Sequence, residues 1–135
     1  MAANSTVLIN STSHDNTAHD TPLVGEKFKG AGFYGLGDGF HTVQVHVTSF
    51  TGSIVFQGTL ASDPTDIDWV DIQLGQEGAL GVDTTGLISQ AELSNIIATN
   101  QTIQKVYNFT GNFVWVRANI TSWTAGSINR ILLNF

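Results

Sequence analysis

The clearest pattern in the chain begins at Phe40. In "FHTVQVHVTSF" the valines at 43, 45 and 47 alternate with Gln44, His46 and Thr48. Period two with β-branched residues predicts a half-buried strand. Thr51-Gly52 then reads as a turn, and "SIVFQGTLA" as a second strand with Ile54 and Phe56 on one face. "ASDPTDID" is a polar loop, and "WVDIQL" a third strand. Near the end, "TIQKVYNF", "NFVWVRANI" and "SINRILLNF" each predict a strand, separated by turns at Gly111 and Thr124-Ala125-Gly126. Residues 88–98 are ambiguous: Ile88, Leu93, Ile96 and Ile97 fit a short helix as well as a loop with a short extended piece. Many short strands with little helix predict an all-β antiparallel fold, a β-sandwich or jelly roll.

Part of this pattern is written twice. "VTSFTGSIVFQ" from Val47 is echoed by "ITSWTAGSINR" from Ile120. Val43, Val45, Val47, Phe50, Gly52 and Ile54 align with Val116, Ala118, Ile120, Trp123, Gly126 and Ile128, and Thr48-Ser49 aligns with Thr121-Ser122. The expectation is a β-hairpin used twice in a pseudo-symmetric sandwich. Phe50 and Trp123 would be turn aromatics that plug the core, rather than parts of a duplicated ligand site.

The first third is different. "STSHDNTAHD" is turn and loop chemistry, and "GAGFYGLGDG" holds five glycines in ten residues. Only "STVLIN" resembles a strand. A stretch so poor in pattern is unusual inside a compact domain. It divides the chain into an extended N-terminal arm, residues 1–39, and a β-sandwich domain, residues 40–135.

Composition narrows the function. The 135 residues fit one domain and lack cysteine, which suits a reducing cytoplasm. Charged residues make up only 12% and the formal charge is −6. That disfavours nucleic acid and anionic membranes as partners, since both are bound through Lys and Arg. No apolar run is long enough to span a membrane, and the start lacks the basic segment of a signal peptide.

Candidate chemistry is sparse. Asp63, Asp66, Asp68 and Asp71 could collect a cation, but their spacing is not that of an EF-hand, and a solvated loop explains them. His14 and His19 in "HDNTAHD" match no metal signature. The N-x-[ST] triplets at Asn4, Asn100, Asn108 and Asn119 carry no weight without a secretion signal. There is no G-x-S-x-G, no H-E-x-x-H and no cysteine nucleophile. The glycine-rich run is followed by no basic residue or helix, so phosphate cradling has no basis. The expectation is a non-enzyme with neither cofactor nor metal. The candidate contact surface is aromatic: Trp115, Trp69, Tyr34 and Phe33, with Arg117 and His46. If Val114 and Val116 face the core, Trp115 faces outward.

The stretch "GFHTVQVHVTSFTGSIVFQGTLASDPTDIDWVDI" and the closing "YNFTGNFVWVRANITSWTAGSINRILLNF" resemble small virion structural proteins of tailed phages, especially those of marine cyanobacteria. "GTLASDP…DW" and "GNFVWVRA…GSI" carry most of the resemblance, which covers roughly residues 35–135. It implies a β-sandwich accessory protein of the virion, assembled in the host cytoplasm. Capsid decoration or cement is the first role, and a neck, baseplate, fibre or other tail appendage that contacts host glycan is the alternative. The implied partners are other virion proteins and further copies of the chain. The resemblance supplies no catalytic residues.

Overall fold

The computed structural model describes residues 5–13, 23–35, 37, 39–82, 88–93 and 95–135. Its strands are β1 (Ser5–Ile9), β2 (Thr12–Ser13), β3 (Leu23–Val24), β4 (Phe28–Lys29), β5 (Phe40–Thr59), β6 (Val70–Asp71), β7 (Leu74–Val82), β8 (Ile88–Leu93), β9 (Ile96–Thr110) and β10 (Trp115–Asn134). They join one antiparallel sheet in the order β1-β10-β5-β9-β7-β8. The short β2, β3 and β4 also pair with β10, and β6 with β5. The fold is all-β and sandwich-like: one sheet bends round so that both halves of its long strands face a single core.

Bending is forced by length. A straight strand of 20 residues would be roughly 66 Å long, whereas a domain of this size has a radius of gyration of about 14 Å. The two predicted hairpins are in fact two unbroken strands, β5 and β10, each kinked at its middle and paired with the other along its length. In β5 the inward positions are His41, Val43, Val45 and Val47, then Phe50, Gly52, Ile54, Phe56 and Gly58, and Val55 and Thr59 are buried as well. The phase slips by one at Thr48-Ser49, where Ser49 adopts φ 49°. This extra residue is a β-bulge, which keeps the same face inward while the strand turns. In β10 the slips lie on either side of Trp123 and again after Ile128.

The repeat therefore describes a ribbon with internal two-fold pseudo-symmetry. Val47 pairs with Ile128, and Ile54 with Ile120. Exchanging the two copies of the repeat converts each pair into the other. Near the pseudo-axis Phe50 and Trp123 meet inside the core with ring centroids 6.2 Å apart. Burying each of these rings is worth about 1.5–3 kcal/mol. The two glycines obey the same exchange. A methyl group on Gly52 would collide with the carbonyl oxygen of Ser122, and one on Gly126 with that of Ser49. Gly126 also has φ 89°, a conformation that disfavours other residues. Hydroxyls stitch the kink to β9: Asn100 N–H donates to Thr51 Oγ1 at 2.8 Å and Ser49 N–H to Thr102 Oγ1 at 3.2 Å.

The N-terminal third is no free arm among its described residues. β1 to β4 run antiparallel along β10, from Ser5 opposite Asn134 to Lys29 opposite Trp115. Leu8 and Ile9 belong to the same core as β5 and β10. The division at residue 39 thus falls inside one packed unit. The sequence hid this because, after β1, the segment pairs in two-residue patches, too short for any periodicity. Residues 88–98, left between helix and loop, are β8 and the start of β9 where described. "WVDIQL" is a two-residue bridge and the start of β7, not one strand.

Gly126→Ala is expected to lower unfolding free energy by about 2 kcal/mol or more, because it adds both backbone strain and a clash. Gly37→Ala, with open space around it, should stay within about 0.5 kcal/mol. Denaturant melts of the two variants check the contrast. Deleting residues 1–39 should give an aggregating or unfolded chain rather than a trimmed domain, as read by circular dichroism and sedimentation.

Candidate functional site

One end of the sheet gathers residues 30–35 and 39 with the segments 60–73 and 111–114. The glycine-rich run is pinned there by its backbone. Gly30 N–H donates to Val114 O and Gly32 N–H to Phe113 O, both at 2.9 Å, and Gly111 N–H donates to Gly39 O at 2.9 Å. Gly32 has no alternative, because a side chain would strike the carbonyl of Asn112. From this anchor a tight turn, with Phe33 N–H on Gly30 O and Tyr34 N–H on Ala31 O, carries Phe33 and Tyr34 outward.

His41 locks the turn from beneath. It is fully buried, stacked on Phe109 at 4.7 Å. Its Nε2 accepts the Ala31 N–H at 3.0 Å, so its Nδ1 carries the proton and donates to Gly39 O at 3.0 Å. Both bonds together require the neutral imidazole with this one tautomer.

Above the turn lies an aromatic strip. Phe33 meets Tyr34 edge-on at 5.4 Å and Trp115 at 5.3 Å, and Tyr34 stacks on Phe135 at 5.7 Å. Cations sit over these rings: Lys27 Nζ is 4.5 Å from the Trp115 centroid and Lys29 Nζ 4.4 Å from that of Phe33. Such contacts contribute about 0.5–1 kcal/mol each when exposed. Trp115 is further held by its indole N–H, which donates to Ser62 O at 3.0 Å. Two residues along β10, Arg117 lies 4.2 Å over the Trp69 ring. Its Nε donates to Gln57 Oε1 at 2.9 Å, and Gln57 Nε2 donates to Asp71 Oδ1 at 2.9 Å. This relay ties β10, β5 and β6 together and holds the 60–73 loop against the sheet. Partial burial pulls the Arg117 guanidinium below its usual range, while the Asp66 carboxylate pulls it back up.

Beside the strip is an open groove of about 510 Å³, lined by Leu60, Val70 and Phe113 among others. Ile67, in the 3-10 turn Asp66–Asp68, is 91% exposed at the same loop. Large apolar groups therefore crowd one end of the molecule.

Five of the six residues singled out from sequence, Phe33, Tyr34, Trp69, Trp115 and Arg117, lie in this region. Val116 is fully buried, and Trp115, its neighbour on the strand, is half-buried on the other face beneath Lys27 and against Phe33. His46 does not join them. It pairs with Gln104 and Arg130 on the other half of β5. Phe50 and Trp123 are core residues at the strand kinks, not turn residues. The loop acids have local partners: Asp68 accepts from Thr65 N–H at 2.7 Å, and Asp71 from Gln57. Among the described residues no three His, Cys, Asp or Glu side chains are placed to hold a metal ion. His14 and His19 lie outside the described residues. Sequence reasoning missed His41, although its phase with Val43, Val45 and Val47 put it on the core face. It also missed Lys27, Lys29 and Gln57, for which no local pattern existed.

The class that this geometry defines is an all-β antiparallel, sandwich-like fold with a strip of aromatic side chains at one end. Searches of protein-family models and of curated proteins find no match. Among solved structures, the chain is similar to the SPBc2 prophage-derived protein YomS. The match has a TM-score of 0.59 and 14% identity, and covers 98% of this chain and 92% of that one. The likeness establishes a shared fold.

The strip and its support should separate in mutagenesis. Phe33→Ser and Tyr34→Ser, at positions 43% and 56% exposed, should change stability by no more than about 0.5–1 kcal/mol. His41→Ala should cost about 3 kcal/mol, since it opens a cavity and leaves the buried Ala31 N–H without an acceptor. Thermal melts of the three variants test this.

Proposed function

We propose that the chain is a structural protein of a phage particle, acting as a decoration or cement protein that binds neighbouring capsid subunits through the aromatic end of its sandwich. The observation that carries this reading is the strip itself. Phe33 and Tyr34 are held in the open by a buried anchor, next to an apolar groove, with Lys29 over the Phe33 ring. Rigid exposed aromatics with Arg or Lys alongside are the composition of protein contact hot spots. The fold shared with a prophage-derived protein supports the setting. In this reading the chain catalyses nothing and needs no cofactor, and many weak copies acting together supply avidity on a repeating lattice. It is assembled in the host cytoplasm and resides in the virion.

A second reading draws on the Arg117–Gln57–Asp71 relay beside Trp69 and Trp115. Planar polar groups next to indole rings also suit sugars, as in a tail appendage that contacts host glycan. Lys27 and Arg117, however, already occupy one face of each indole, which favours protein contact.

The test is co-sedimentation with phage heads stripped of this protein. The full chain should rebind, and Phe33→Ser/Tyr34→Ser should weaken binding at least tenfold with an unchanged melt. Failure of the native chain to bind any head preparation, together with a glycan-array signal lost in Trp69→Ala, would move the assignment to the tail appendage.

A further inference from the structure

The two sides of the sheet end differently. The outer side of β10 is covered by the chain's own β1 to β4. The outer side of β9 is mostly bare. β7 covers it only at Asn108 and Tyr107, opposite Gly75 and Gln76. From Ile97 to Val106, no strand among the described residues pairs with that side of β9. Unpaired strand edges are templates for a further strand. Along this one runs an open groove of about 550 Å³, where Ile97 is 69% exposed and Ile103, Gln101 and Lys105 also line the wall. A bare edge beside a groove that can take alternate side chains is the geometry of strand addition.

The same chain carries a matching donor. β7 and β8 form an antiparallel pair that reaches the rest of the sheet at Gly75 and Gln76. β8 ends the sheet order, so its outer side is unpaired among the described residues. Its six residues span roughly 20 Å, within the roughly 34 Å of bare β9 edge. The charges are complementary. Residues 88–93 of β8 include Glu92 but no Lys or Arg, whereas residues 96–110 include Lys105 and no acid.

We propose that β8 of one copy pairs with the bare edge of β9 in a second copy. Each chain is then both donor and acceptor. Such a head-to-tail contact closes into a ring or continues as a filament. The inference deepens the particle reading by naming the chain's own copy as a partner, yet its test is independent of heads.

Sedimentation velocity of three full-length proteins decides it: native, the edge variant Ile97→Asp/Lys105→Glu, and the donor variant Glu92→Lys. The native chain should sediment as an oligomer and each variant as a monomer with a near-native melt. Mixing the two variants should restore the oligomer, because every contact then pairs opposite charges again. A monomeric native chain overturns the proposal. So does an oligomer that survives both variants, or one that only the edge variant dissolves, which would give the groove to some other strand. Head binding by a strictly monomeric native chain would overturn this contact and leave the particle reading standing. An oligomer that ignores heads would do the reverse.

Discussion

The structure depends on the pairing of two 20-residue strands, β5 and β10, that bend together at Phe50 and Trp123. Unbent, the ribbon would be too long for the domain and would expose its valine and isoleucine face. Bulges at the kink let the inward face stay inward through the bend. Gly52 and Gly126 admit the opposing serine carbonyls at the point of closest approach. Phe50 and Trp123 fill the space between the two halves. The duplicated sentence in the sequence is the record of this local two-fold symmetry, with each copy supplying the glycine for the serine of the other.

Everything else is hung on that ribbon. The N-terminal segment lies along one side of β10, and β9 lies along β5. The far end of the ribbon, where β5 finishes and β10 begins, holds the loops. There the glycine-rich turn, braced by His41 and by backbone bonds to Phe113 and Val114, presents Phe33 and Tyr34. Rigidity matters for a contact surface, because side chains already ordered before binding lose less entropy on association. The cations over the rings serve the same end. They hold the aromatic faces in place and keep an otherwise apolar surface compatible with water.

The sequence by itself determined the class of fold, the inward face and the outward aromatics. Alternation from His41 to Val47 is a local property of a pleated strand, so it survives whatever the strand pairs with. Trp115 could be turned outward on the strength of Val116 alone. Tertiary structure decided the rest. A slip of one residue in an alternating pattern is the same locally whether the chain turns back or continues through a bulge. Only the partner strand, chosen by long-range register, distinguishes them, which is why two hairpins were expected and two bent strands found. The same holds for the N-terminal segment, whose two-residue pairings become visible only beside β10. It holds also for the gathering of residues 27–34, 57, 69–71 and 115–117, because proximity between segments so far apart is written in the sheet order and not in any one of them.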